Sequence, residues 1–255
     1  MTDSQYHPEP YWSEVADRIE ARGDKNFMAG DDSPFYRYKR KRFLKLLHEV
    51  DFSNKHVLEI GSGPGGNLLE VLKQKPASMN AADISGSMIK LAKKNTSEHN
   101  VNFTKINGTE LPFEDKKYDI VFSATVLQHN SDEEMMKSIL REMCRVSADQ
   151  VILFERVEGK IKGDDLCVGR PVDYYAGICE AEGFTLTDAS FINIQVSYLV
   201  SGAARKLLNP ASRKEGQQLS TLAELTQKIS LPVTALLDKV ITPQRDLARI
   251  TLTRK

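Results

Sequence analysis

Cysteine is scarce in this chain: Cys144, Cys167 and Cys179 are the only three in 255 residues. They are odd in number, scattered and without C-x-x-C spacing, which argues against a disulfide framework and a zinc site and reads as reduced packing residues. No run of about 18 apolar residues occurs, so no bilayer span is expected. The polar, proline-bearing start from Met1 to Pro10 has none of the features of a signal peptide. An excess of charge of one sign is missing too, because Lys plus Arg and Asp plus Glu each number 35. That balance disfavours a general nucleic-acid or membrane-surface binder but leaves room for a local patch. These absences point to a soluble cytoplasmic protein with a small partner; nucleic acid, membrane and a resident metal are not expected. A chain of this length can bury a substantial core, as one enlarged α/β domain or a domain with an appendage.

What is present centres on Val57-Leu58-Glu59-Ile60-Gly61-Ser62-Gly63-Pro64-Gly65-Gly66. A branched apolar run reads as a buried strand, it stops in four glycines and a proline, and Asn67 to Leu72 reads as helix. Glycines at such a turn permit φ > 0 and bring a ligand against bare amides, while the following helix offers unpaired N–H groups. Gly61, Gly63 and Gly66 fit the G-x-G-x-x-G spacing. Asp83 closes a second strand about 20 residues later, where a carboxylate can take ribose hydroxyls. A nucleoside ligand follows, without saying which one.

Upstream, Trp12, Val15, Ala16 and Ile19 recur at helical spacing, and Gly23 ends that segment. A loop with Gly30, Asp31, Asp32, Ser33 and Pro34 leads to a longer helix whose buried stripe is Phe43, Leu46, Leu47 and Val50. Its other face carries Arg37, Lys39, Arg40, Lys41 and Arg42 with Tyr36 and Tyr38, which reads either as a solvated face or as a grip for a phosphate or carboxylate. Downstream, strand and helix alternate: Ser78 to Ala82, Met88 to Asn95, Val101 to Ile106, Tyr118 to Ala124, Glu133 to Arg145 and Gln150 to Glu155. Alternation of this kind implies a parallel sheet covered on both faces, with ligands beyond the strand ends where the strand order reverses. Ser131 and Glu134 form a capping box, so Asp132, Glu133 and Glu134 read as helix-start acids, not metal ligands. A helix from Val172 to Glu182 ends at Gly183, Phe184 to Ile194 reads as strand, and Ala248 to Thr253 is the expected last strand. Between them, Tyr198 to Leu208 and Leu219 to Val240 read as helices separated by Asn209-Pro210 and Pro232, a helical insertion of about 50 residues.

Four blocks carry a family resemblance: the glycine turn, Ala82-Asp83-Ile84-Ser85 with Met88, Asn107-Gly108-Thr109-Glu110-Leu111-Pro112-Phe113, and Tyr118-Asp119-Ile120-Val121-Phe122-Ser123-Ala124-Thr125-Val126-Leu127-Gln128-His129. Gly169-Arg170-Pro171-Val172-Asp173-Tyr174-Tyr175 and Ala181-Glu182-Gly183-Phe184 extend it. In order and spacing the chain resembles the class I S-adenosylmethionine-dependent methyltransferases over about residues 43 to 194. The fold expected is a Rossmann-like, doubly wound, seven-stranded and mostly parallel sheet with an antiparallel last strand, N-terminal helices and the helical insertion. In segments this gives a helical lid at 1–50, the cofactor-binding core at 51–195, a substrate cap or dimer face at 196–245 and the core's last strand at 246–255.

The resemblance implies S-adenosylmethionine as cofactor, S-adenosylhomocysteine as product, and methyl transfer to an oxygen or nitrogen of a small acceptor. It places the cofactor's methionine end over Gly61, Ser62, Gly63 and Gly65 with Glu59 toward its ammonium. Asp83 takes the ribose hydroxyls, Ile84 and Met88 face adenine, and Asn107, Gly108, Thr109 and Ala124 complete the wall. Two departures stand out: Asn107 replaces the usual Asp as acceptor for the adenine amine, and Glu155-Arg156 lacks the proline common after that acid. His129, just after the fourth strand, is the candidate general base, against a packing role. Tyr36, Tyr38 and Arg170 are the candidate substrate contacts, and Tyr11, Trp12, Phe35, Tyr36 and Tyr38 are candidates for a lid, against core packing of the same residues. The glycine spacing and Asp83 fit NAD equally well, so a dehydrogenase is the alternative, with a methyltransferase-like binding protein lacking turnover as a third reading. A monomer or homodimer is compatible with all three.

Overall fold

The computed structural model describes residues 7–21, 32–213 and 217–255. Gly23, Gly30 and Asp31, read above as a helix end and loop, lie outside the described residues. The chain runs α1 (Pro8–Ala21), α2 (Pro34–His48), β1 (His56–Ile60), α3 (Gly66–Leu72), β2 (Ser78–Asp83), α4 (Gly86–Asn95), β3 (Val101–Lys105) and β4 (Tyr118–Ala124). After a single 3-10 turn at Leu127–His129 come α5 (Glu133–Val146), β5 (Ser147–Val157), β6 (Lys162–Asp164), β7 (Cys167–Gly169), α6 (Val172–Ala181) and β8 (Phe184–Phe191). The chain closes with α7 (Gln195–Leu208), α8 (Thr221–Leu237) and β9 (Asp246–Arg254).

Seven strands form one sheet in the order β3-β2-β1-β4-β5-β9-β8. Pairing is parallel from β3 to β5, and β9 runs antiparallel to both β5 and β8. The order reverses beside β1, so the loops after β1, β2 and β4 open into one crevice, as expected of a doubly wound sheet. Continuous burial along Val57–Ile60 and Ile120–Ser123 reflects a sheet covered on both faces. One face packs Leu58, Ile60 and Val121 against Met136, Leu140 and Met143 of α5 and Tyr175 of α6. The other packs Val57, Phe122, Phe154 and Ile152 against Phe43 and Leu47 of α2 and Ala92 of α4. Each such large apolar side chain contributes about 1.5–3 kcal/mol on burial.

The two N-terminal helices have different jobs. Phe35, Phe43, Leu46 and Leu47 make α2 part of the sheet's own core. By contrast α1 packs Val15, Ala16 and Ile19 on Met88 and Leu91 of α4, and Ser13 Oγ lies 3.0 Å from Ser85 Oγ. Trp12 then sits edge-on to His129 with ring centroids 5.1 Å apart, so α1 bridges the loops after β2 and β4.

Several details depart from the sequence reading. The cap of α5 is Asp132, whose side chain accepts from Glu134 and Met135 N–H, in place of Ser131. Pro232 does not divide the insertion: α8 runs through it and gives up one i→i−4 hydrogen bond. The β6/β7 hairpin had no signal, because Lys162-Gly163-Asp164 is exposed and has no apolar alternation to read.

Candidate active site

The crevice beyond β1, β2 and β4 is a cavity of about 1270 Å3, above the roughly 300–1,000 Å3 typical of a single small-molecule site. Its floor is the β1–α3 turn. Gly61, Gly63 and Gly65 have φ of 70°, 51° and 90°, the left-handed region that glycine enters without penalty. A Cβ on Gly61 would collide with the Val126 side chain, so that turn is closed to any larger residue. Ser62 and Gly63 line the cavity beside Gly61. Gly65 does not: it caps α3, and a Cβ there would press on Ala92 at 3.3 Å.

Asp83, 5 % exposed at the end of β2, also lines the cavity. Gly63 N–H donates to its Oδ2 at 2.9 Å and Ser85 N–H to its Oδ1 at 2.8 Å. Each oxygen keeps a second lone pair, so the carboxylate is aimed by the backbone and still able to accept from a ligand. Burial pushes its pKa up to about 6, against those backbone bonds, which act to lower it. Ile84, Met88, Ile106 and Gly108 add apolar lining, as do Ala124 at the end of β4 and Val126 in the loop after it.

The loop after β4 is held by a buried acid that the sequence reading used only for its missing proline. Glu155, 0 % exposed, accepts from Ser123 Oγ at 2.9 Å and from the N–H groups of Val126 and Gln128, each at 3.1 Å. Those bonds clamp the chain where the β-branched Thr125 adopts φ 58°, an uncommon conformation for such a residue.

Residues 57–150 match the family model described as a methyltransferase domain. Norajmaline N-methyltransferase of Rauvolfia serpentina is 30% identical over 111 residues, 42% of this chain and 37% of that protein. A ubiquinone/menaquinone biosynthesis C-methyltransferase of Rickettsia massiliae is 27% identical over 144 residues, 53% of this chain and 54% of that protein. The match thus spans about half or less of the length of these relatives. Magnesium protoporphyrin IX methyltransferase from Synechocystis PCC 6803, solved with bound S-adenosylmethionine, superposes over 100% of both chains with a TM-score of 0.62 at 13% identity, a likeness of fold. Residues 57–150 of this chain thus carry a methyltransferase domain, with the fold of that S-adenosylmethionine-binding enzyme.

The methyltransferase domain's residues fit that cofactor on their own chemistry. Bare backbone at Gly61 and Gly63 lies beside a buried, pre-aimed carboxylate, and two buried polar atoms lacking a partner, Glu59 Oε2 and Ser62 Oγ, flank the turn. Glu59, however, stops short of the cavity wall. It is 0 % exposed beneath the turn, and Asn67 reaches the cavity in its place, donating to Glu59 Oε1 at 2.7 Å while accepting from Arg40. Burial is the largest influence on Glu59 and carries its pKa up to about 8. Because the folded state holds this proton more tightly than the unfolded chain, stability is greatest below the ordinary value of 4.5 and declines as pH rises through about 8. Glu59→Gln, which keeps the neutral shape, should remove that decline. Melting curves at about pH 6 and about pH 9 should show the wild type losing several degrees more than the variant, and equal losses would refute the assignment.

Besides Glu59 and Gly65, four residues assigned from the sequence lie off the cavity wall. Asn107 does not reach the cavity: its Oδ1 accepts from Thr109 N–H at 3.0 Å, Thr109 Oγ1 at 3.1 Å and Glu110 N–H at 2.9 Å, so it caps its own turn. Thr109 is turned away with it, leaving Gly108 as the contact from that block. Arg170 is a structural cation, 0 % exposed, donating to Glu133 Oε1 at 2.7 Å, Leu127 O at 2.9 Å and Asn130 O at 2.8 Å. Tyr38 donates to Asp238 Oδ2 at 3.2 Å and is absent from the wall, whereas Tyr36 lines it.

His129 lines the cavity with both ring nitrogens engaged: Nδ1 is 2.7 Å from Leu166 O, and Nε2 is 3.1 Å from Gln128 Nε2. Gln128 Oε1 takes Arg156 N–H at 2.9 Å, which turns its amide nitrogen to the histidine. With Nδ1–H donating to Leu166 O and Nε2 accepting from the Gln128 amide, the ring is held by protein partners on both sides, an arrangement suited to positioning.

The basic run of α2 divides between two environments. Arg37 pairs with Asp32 and Arg42 donates to Ile192 O, but Lys39 and Arg40 turn into the cavity. There Lys39 Nζ meets Asp246 Oδ1 at 2.6 Å, and Arg156, paired with Glu158 at 3.0 Å, reaches Cys167 Sγ at 3.6 Å. Cys167 is consequently a cavity residue, unlike the buried Cys144 and Cys179. Sequence reading passed over Arg156, Tyr198 and Asn67; only the alternation of strands could have placed Arg156 at a strand end. Among the described residues no cluster of His, Cys, Asp and Glu could hold a metal ion.

Proposed function

We propose that the chain binds S-adenosylmethionine in this crevice and directs its methyl group to an oxygen or nitrogen of a small acceptor bearing an anionic group. The observation that carries the reading is one cavity whose lining is of two chemical kinds: Gly61, Gly63 and Asp83 at the strand ends, and Lys39 and Arg156 beside Cys167. The cofactor supplies an electrophilic methyl sulfonium. Asp83 accepts both ribose hydroxyls, Ile84 and Met88 contact adenine, and Asn67 with the Ser62 hydroxyl meets the amino-acid tail. The cations hold the acceptor's carboxylate or phosphate so that its nucleophilic atom approaches in line. Tyr11 and Trp12 of α1 lie over the cavity and exclude water. Chemistry of this kind asks chiefly for positioning, which agrees with a His129 ring already committed to Leu166 and Gln128.

A thermal-shift comparison tests the reading against its dinucleotide rival. S-adenosylmethionine and S-adenosylhomocysteine at about 100-fold over their dissociation constants should stabilise the chain by about 2.7 kcal/mol, and NAD should leave it unchanged. Stabilisation by NAD alone would overturn the proposal.

A further inference from the structure

The hairpin of α7 and α8 is built inside out. Its internal seam is polar: Ser197, Ser201, Gln227, Thr234 and Asp238 are each at most 6% exposed. Those groups satisfy one another and α2. Ser197 Oγ donates to Asp238 Oδ2 at 2.5 Å, Val196 N–H donates to Asp238 Oδ1 at 2.8 Å, and Gln227 Oε1 accepts from Phe35 N–H at 3.3 Å. The apolar stripe faces outward instead. Leu222, Leu225, Ile229, Val233, Leu236 and Val240 follow one another at helical spacing and are 50–78% exposed. A soluble helix places such a stripe on the core, and contiguous exposed apolar surface of this kind marks an interaction site.

We infer that this outer face docks in the plane of an anionic lipid membrane. Charge decides between lipid and a second copy of the chain. Residues 196–245 carry seven Lys and Arg against three Asp and Glu, a net of four positive charges in a chain whose total is zero. An isologous dimer through this face would set the positive segment against itself, whereas an anionic headgroup layer complements both the stripe and the segment's net positive charge. The mode is adsorption along the interface, since no helix among the described residues is long and apolar enough to cross a membrane.

Docking has a consequence for the cavity. Leu199, Gly202, Ala203 and Lys206 of α7 belong both to the hairpin and to the cavity wall, so the element that docks also walls the cavity. Given the methyl-transfer reading above, the acceptor would be drawn from that interface. The docking itself does not depend on that reading.

Flotation of the full chain with vesicles is the test. The wild type should float with phosphatidylcholine vesicles containing phosphatidylglycerol, lose binding at high salt, and stay behind with phosphatidylcholine alone. Ile229→Glu with Val233→Glu, which alters the exposed stripe and leaves the polar seam intact, should cut the vesicle-bound fraction more than about tenfold with an unchanged melting temperature. Absence of flotation with the anionic vesicles would overturn the inference. So would a wild-type dimer in sedimentation equilibrium that the same substitutions dissociate, because the stripe's occupant would then be a second copy. Neither readout uses methyl transfer, so failure here leaves the methyltransferase reading standing.

Discussion

Replacing Asp83 with alanine should weaken S-adenosylhomocysteine binding by about two to four decades, read by calorimetry at neutral pH. The magnitude follows from two hydrogen bonds to a charged acceptor, each worth about 1.5–3 kcal/mol. The Gly63 and Ser85 N–H groups that now aim the carboxylate would also lose their partner. Wild-type affinity should fall with acidity for the same reason. Protonation of Asp83 below about 6 leaves a neutral, weaker acceptor, and the dissociation constant should then rise by at most about tenfold per pH unit. Affinity that survives Asp83→Ala would mean that the sugar is held by some other group.

Glu155→Ala should cost about 3–5 kcal/mol of stability and disable the site with it. The substitution strands three donors, Ser123 Oγ and the N–H groups of Val126 and Gln128, at a position with no access to water, at about 1–3 kcal/mol for each unpaired group. It also releases Thr125 from φ 58° and Val126 from its place against Gly61, so the floor of the cavity loses its shape. A fall in melting temperature of about 10 °C is expected, at the 2–4 °C per kcal/mol usual for chains of 150–250 residues. Glu155→Gln, which retains an acceptor, should lose less. A melting temperature within about 1 °C of wild type for Glu155→Ala would show that the clamp does not hold this loop.

The parts of the fold that could be read from the sequence are those whose signal is local. The β1 run ending in glycines, Asp83 one strand later and the strand–helix alternation each follow from backbone geometry within a few residues, and they recovered the sheet, its switch point and the glycine and Asp83 lining of the cavity. Side chains whose direction is set by distant partners were not recovered. Arg170 looked available to a substrate because nothing nearby in sequence announces that Glu133, on another helix, will neutralise it. Asn107 carried a local warning that went unused: Asn-Gly-Thr-Glu is a turn in which the Asn side chain caps its own backbone. Lys39 and Arg40 could not be told from their exposed neighbours until α2 was packed on the sheet. The α7–α8 hairpin shows the limit most clearly, since its apolar period announced helices but not that the apolar face would be the outer one.

The central claim is that the crevice at the sheet's switch point seats an adenosyl sulfonium over bare glycine backbone with its sugar on Asp83. A crystal structure of the chain with S-adenosylhomocysteine measures this directly. Both ribose hydroxyl oxygens should lie about 2.5–3.0 Å from Asp83 carboxylate oxygens, with the homocysteine tail over Gly61 to Gly63. A nucleoside bound elsewhere, or a filled crevice in which Asp83 faces no sugar, would contradict it.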